Sequence, residues 1–144
     1  MKARVHVVTL GVDDLEQSLA FYRDGLGFQS PGIVGTEFPG DETNPAGDTA
    51  MFTLDDGLIL ALYPRSELAK DAGVPAGYTS GTGHSLGHLV DSREEVDRIL
   101  EAARAAGATV HGEAHERAWG IYSGYFSDPN GHLWEIIHFP ALRE

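Results

Sequence analysis

The 144 residues contain no cysteine, which excludes thiol nucleophiles, disulfides and zinc–thiolate centres. Chemistry must come from histidine, carboxylates, hydroxyls and aromatic rings. Of the seven histidines, His88, His111, His115, His132 and His138 show no two-ligand spacing on a helix, and each by itself reads as a surface or hydrogen-bonded residue. Glu135 stands apart as a carboxylate inside the apolar run His132–Phe139. Three roles fit such a group: an anchor for a cationic or hydrogen-bond-donating ligand, a general base tuned by burial, or a structural carboxylate satisfied by its neighbours. For the base role, the sequence marks no partner that would stabilise a developing anion. The segment from Trp119 through Tyr122 to Phe126 is dense in aromatic side chains. Trp119, in a loop with Arg117 and Gly120, is suited to stack on a ligand; core packing or a dimer contact is the equally direct alternative.

These residues have to be positioned by strands and helices that the pattern locates. Residues 4–12 alternate apolar side chains and end at Gly11-Val12, a strand. Asp14 followed by Gln17 forms a capping box, Leu15, Leu19, Tyr22 and Leu26 recur at helical spacing, and Gly25 and Gly27 stop the helix. A strand after Gly27 and a long loop, Thr36–Asp48, come next. Thr49–Leu54 and Leu58–Tyr63 then make a hairpin across Asp55-Asp56-Gly57. A connector over residues 64–83, with a short helix at Ser66–Ala72, leads into a second set. It comprises the strand Ser85–Val90 and a helix capped by Ser92 and Glu95, with Val96, Ile99, Leu100 and Ala103 as its apolar stripe. Gly107 stops this helix; a short strand, Ala108–His111, and a hairpin of Tyr122–Ser127 with His132–Phe139 across Asp128-Pro129-Asn130-Gly131 complete the set.

The second set repeats the first. Val12-Asp13-Asp14 matches Val90-Asp91-Ser92 at a shift of 78 residues, and Phe52–Gly57 matches Phe126–Gly131 at a shift of 74. Each half reads β-α-β-β-β, an open sheet with one uncovered face, so two such units must pack. The expectation is an α+β fold in one domain, residues 1–144, with a first module at 1–63 and a second at 84–144.

Paired β-α-β-β-β modules with these local motifs resemble the vicinal oxygen chelate superfamily of glyoxalases, bleomycin-resistance proteins and extradiol dioxygenases. The resemblance is carried by Thr9–Leu15 with Ser18, Phe21-Tyr22 and Leu26-Gly27-Phe28, and by Phe126–Glu135. It implies eight strands forming a partly open barrel or cleft with the ligand inside. Metal-using relatives place one ligand on each of four strands. By resemblance these positions fall on Val7, Ala61, Ser85 and Glu135, of which only Glu135 is an ordinary metal ligand. His6 and His84 sit one residue earlier and are also related by the 78-residue shift; with Glu135 they would make a two-histidine, one-carboxylate set. Strand parity puts His6 with Val8, Leu10 and Val12, and His84 with Leu86, His88 and Val90, on the face that packs on helices. The expectation is therefore no resident metal, with a divalent ion on His6, His84 and Glu135 as the alternative.

On Glu135's face lie Leu133 and Ile137, Ser85, Gly87 and Leu89, and Val7, Thr9 and Gly11. The ligand-binding set read from this is Val7, Thr9, Ala61, Ser85, Trp119, Tyr122 and Glu135, with Glu135 as the catalytic candidate. Acidic residues outnumber basic ones 22 to 10, a net charge of −12, which disfavours nucleic acid and anionic lipid and favours a cationic partner. The leading expectation is a metal-free protein that binds a small organic molecule in an apolar cleft. Its rivals are a metal-dependent lyase, isomerase or dioxygenase, and a domain that works through protein contacts. The absence of an apolar leader or spanning segment points to the cytoplasm, and the resemblance implies a homodimer.

Overall fold

The computed structural model describes residues 1–140 apart from Arg4, Ala76, residues 78–83, Ala118 and Trp119. Two compact units divide the chain, Met1–Thr79 and Ser80–Glu144. Each is a four-stranded sheet with its own helical cover, as the α+β repeat requires.

In the first unit, β1 (Val7–Val12) is followed by α1 (Leu15–Ala20). The Asp14 carboxylate accepts from the Gln17 N–H at 3.0 Å, satisfying one of the donors that a helix start leaves open. The helix continues as a π-helical turn, Phe21–Gly25, and both Phe21 and Tyr22 are buried. Then come β2 (Ile33–Val34), β3 (Thr49–Thr53), β4 (Ile59–Pro64) and α2 (Arg65–Ala72). The sheet order is β1-β4-β3-β2, with β1 parallel to β4 and the remaining pairs antiparallel. Even-numbered residues point to the covered face: Leu10, Val12, Ala50, Phe52, Leu60 and Leu62 are buried, and Tyr22 and Phe28 pack on Phe52 at ring distances of 5.9 and 5.8 Å. The parity that puts Val8, Leu10 and Val12 on one face is thus visible in their burial. The loop between β2 and β3 is tied to this unit by the Tyr63 hydroxyl, which donates to the Ala46 carbonyl, and by Lys70, which donates to the Asp41 carbonyl at 2.9 Å.

The second unit repeats the order with β5 (Leu86–Val90), α3 (Arg93–Ala105), β6 (Thr109–Glu116), β7 (Tyr122–Ser127) and β8 (Leu133–His138). Its sheet order, β5-β8-β7-β6, again has one parallel pair, β5 with β8. Ser92 caps α3 through the Glu95 N–H at 3.1 Å, while Glu95 reaches back to the Asp91 N–H at 3.0 Å. Val96, Leu100 and Ala103 are the buried stripe of α3, packed over Phe126, Trp134 and Ile136. The hairpin turn is held by the Asp128 carboxylate, which accepts from the N–H groups of Asn130 and His132, each at 2.9 Å.

Two elements differ from their sequence reading. The strand after Gly27 is reduced to two paired residues, Ile33↔Ala50 and Val34↔Thr49. The strand expected at Ala108–His111 instead runs on to Glu116. It pairs His111 with Tyr125, passes an irregularity in which Gly112 takes φ +69°, and resumes pairing at His115↔Ser123 and Glu116↔Tyr122. A bulge of this kind interrupts the apolar alternation by which the strand would have been recognised. Among the described residues no helix is long and apolar enough to cross a membrane.

Candidate functional site

The face of the second sheet opposite α3 gathers the polar side chains. Register places His111, Tyr125, Glu135 and Gly87 side by side across β6, β7, β8 and β5. The neighbouring row is His115, Ser123, Ile137 and Leu89. Because side chains alternate along a strand, Ser123, Tyr125 and Ser127 share Glu135's face and Tyr122, Gly124 and Phe126 take the other.

Glu135 is embedded in a hydrogen-bonded chain. The Ser123 hydroxyl donates to Glu135 Oε2 at 2.8 Å, and Arg117 Nε donates to the same hydroxyl at 2.6 Å. Arg117 Nη2 also donates to the Ser123 carbonyl at 3.3 Å, and the guanidinium carbon lies 5.4 Å from the Tyr125 ring centroid, over its face. Burial first, then a hydrogen bond to Glu135 and its charge, push the Tyr125 phenol above its ordinary value, with Arg117 opposing. The phenol of Tyr125 and the carboxylate of Glu135 thus act on each other across the β7–β8 pair. Ser123 is fully buried, whereas Glu135, Tyr125 and Arg117 are partly exposed. Next to Glu135, Gly87 contributes no side chain, so one flank of the carboxylate is bare backbone. Ser127 bonds His111 Nε2 at 2.6 Å at the far end of the row.

Arg117 owes its place to the bulge in β6. Two extra residues on β6 between His111 and His115 bring its N–H to the Ile121 carbonyl at 2.6 Å, and its side chain falls diagonally on Ser123. Residues Arg117, Ser123 and Tyr125 were absent from the set read from the sequence. The signal for two of them was available in the hairpin: the turn at 128–131 fixes the register that pairs Tyr125 with Glu135. For Arg117 no such signal existed, since the bulge sets its position.

The other sequence candidates fall elsewhere. Tyr122 stands on the helix-covered face, where its hydroxyl donates to Asp97 at 2.7 Å and Arg93 lies 4.9 Å over its ring. The structure does not bring it to Glu135. Ser85 is exposed just ahead of β5. Val7, Thr9 and Ala61 share the corresponding face of the first sheet, with Thr9 opposite Ala61; Val7 and Thr9 are exposed and Ala61 is buried. His6 and His84 precede their strands and are exposed. Trp119 lies outside the described residues.

A β-α-β-β-β unit occurring twice is the arrangement that comparison with known proteins places. The model of the Glyoxalase/Bleomycin resistance protein/Dioxygenase superfamily matches residues 4–136. The chain belongs to this superfamily. A glyoxalase-related enzyme from Fulvimarina pelagi is 31% identical, with a TM-score of 0.78 over 96% of this chain and 89% of that one. A glyoxalase/bleomycin resistance protein/dioxygenase from Nocardioides is 26% identical, with a TM-score of 0.69 over 96% and 85%. A lactoylglutathione lyase from Agrobacterium tumefaciens, 24% identical with a TM-score of 0.64 over 94% and 93%, shares the fold. A search of curated proteins gives no match.

In this superfamily chain the donor set does not fit a divalent ion at the positions given by the resemblance. Val7 and Ala61 have no lone pair to offer, Ser85 offers a weak hydroxyl, and the Glu135 carboxylate already accepts from Ser123. Among the described residues, which include His6, His84 and Glu135, no group of three or more His, Asp or Glu side chains is placed to hold a metal.

Proposed function

We propose that this protein binds a small organic molecule on the face of its second sheet opposite α3, held at Glu135 and without a divalent ion. The observation that carries this reading is the Glu135 carboxylate itself, held by the Ser123 hydroxyl, opposite Tyr125 and beside the side-chain-free Gly87. A carboxylate fixed by its neighbours, flanked by apolar Leu133 and Ile137, is a preorganised acceptor on a surface otherwise suited to hydrocarbon. The Ser123 hydroxyl occupies a lone pair of Glu135 Oε2 that a metal would need, which supports binding by hydrogen bonds.

Two measurements test it together. Elemental mass spectrometry after incubation with Ni, Zn, Mn and Fe(II) is expected to find well under one equivalent per chain. Thermal-shift and calorimetric screening with small aromatic amines and aromatic acids is expected to give a ligand that binds at one per chain and is lost in Glu135→Gln. Stoichiometric metal retained by the wild type and lost in Glu135→Gln would replace this reading with that of a metal-dependent lyase, isomerase or dioxygenase.

A further inference from the structure

The chain carries more than twice as many acids as bases, and its described arginines are paired accordingly. Arg23 bonds Asp24, Arg65 bonds Asp13, Arg93 bonds Glu116, Arg98 bonds Glu95 and Arg104 bonds Glu101, all at 3.2 Å or less. Among the described residues Arg117 is the arginine without such a partner. It is more buried than the exposed arginines of the helices, and Glu135 is close. Even so, a serine hydroxyl stands between the two charges, giving them its proton on one side and its lone pair on the other.

The donor count sharpens this. A guanidinium has five N–H groups. Ser123 takes Nε–H through its hydroxyl and one Nη2–H through its carbonyl, and the Tyr125 ring supports the plane of the group from one side. Among the described residues, the two N–H groups of Nη1 and the second of Nη2 have no acceptor. A partly buried cation fixed in orientation, with a free fork of N–H groups, matches a planar oxyanion in both geometry and charge.

We infer that Arg117 is an oxyanion subsite, and that the ligand is a small organic acid carrying a hydrogen-bond donor. Its carboxylate sits on the free fork of Arg117 and its donor points to Glu135. Two hydrogen bonds in series, 2.6 and 2.8 Å, separate the guanidinium from the carboxylate, so the two ligand groups lie close together on its skeleton. Its apolar part rests on Tyr125, Leu133 and Ile137. This rests on the proposed binding at Glu135 and changes its charge: the strongly acidic surface favours cations, but the site itself holds one positive charge for an acid.

Mandelate and benzylamine share a ring and differ in the charge they present, so they serve as probes. Proton–nitrogen correlation spectra that include the arginine Nε–H signals are recorded on the full chain during titration with each. Mandelate is expected to shift the Arg117 Nε–H signal saturably, and Arg117→Gln is expected to weaken its binding about tenfold or more, the loss typical of a charge-assisted hydrogen bond. Glu135→Gln should weaken it less. Arg117→Lys keeps the charge and loses the fork; melting curves of both Arg117 variants verify folding, and the lysine variant should retain part of the affinity. Benzylamine binding that depends on Glu135, with no response to mandelate, overturns the acid subsite and leaves the proposed function standing. No saturable response to either probe overturns both. Mandelate affinity unchanged in Arg117→Gln overturns the subsite alone.

Discussion

The two units build the same sheet and furnish the face opposite their helices differently. On the covered side they match nearly residue for residue. Asp14 and Ser92 cap the helices, Phe52 and Phe126 fill the centre, and both aromatic rings are almost fully buried. On the other side, β1, β3 and β4 present Val7, Thr9, Met51, Thr53, Ala61 and Tyr63, with no carboxylate and no cationic side chain, and α2 packs against Gly11 at the rim. The second unit presents Ser123, Tyr125, Glu135 and, at the end of its bulged strand, Arg117. Sheet packing needs only one apolar face per unit and constrains the two copies equally there. The opposite face is free to diverge, and of the two described faces only that of the second unit carries a carboxylate and a guanidinium.

The largest effects test the equivalence of the covered faces. Phe52→Ala and Phe126→Ala should each cost about 3–5 kcal/mol, since each removes a large side chain from a closed core. Urea denaturation of the two variants measures it. Against a total stability of about 5–15 kcal/mol, either loss would leave a marginal protein. A loss confined to one variant would show that the units do not contribute equally, despite their common plan.

A smaller effect separates the units on the same face. At the position where the first unit has the buried Ala50, the second has Gly124. A Cβ at Gly124 would lie 2.5 Å from Leu100 Cδ1 and 3.2 Å from Ala114 Cα and Cβ. The leucine end can swing aside, but the backbone of Ala114 cannot. Gly124→Ala should therefore destabilise by about 1–3 kcal/mol, the range for overpacking. The same urea curves read it. An unchanged midpoint would mean that α3 can move away from β7 without loss, and that the close approach of helix and sheet is not what requires glycine here.

The covered faces were legible because burial writes itself into period: Leu10, Val12, Val96, Leu100 and Phe126 stand where alternation and helical spacing place them. Caps and turns were equally plain, because Asp14, Ser92 and Asp128 act within four residues of themselves. The site was only half legible. Glu135 could be singled out as an acid in an apolar strand, but its partners depend on long-range register. The aromatic segment points to Tyr122, whereas the register sets Tyr125, three residues on and on the opposite face, beside Glu135. Arg117 could not have been found at all, because its contact with Ser123 requires the two extra residues of the β6 bulge. The candidate site lies where local periodicity stops carrying information.

The smallest effect is a titration, and it separates a tyrosine held by the candidate site from one held by structure. The phenols of Tyr63 and Tyr125 are both pushed above their ordinary value, each by burial first. The charges of Asp71, Glu67 and Asp48 add to it at Tyr63; the hydrogen bond and charge of Glu135 add to it at Tyr125. With the folded pKa raised, the folded state keeps a proton that the unfolded chain gives up near pH ~10. Both phenols thus contribute stability that is fully present below that pH and fades as pH rises through the folded value. Tyr63→Phe and Tyr125→Phe should each flatten the alkaline loss. Glu135→Gln should bring only the Tyr125 phenolate forward on the pH axis, followed by its ultraviolet absorbance, with the burial part of the shift remaining. A Glu135→Gln variant in which Tyr125 titrates as before would mean that the carboxylate and phenol are not coupled across β7 and β8, and that burial alone raises the phenol.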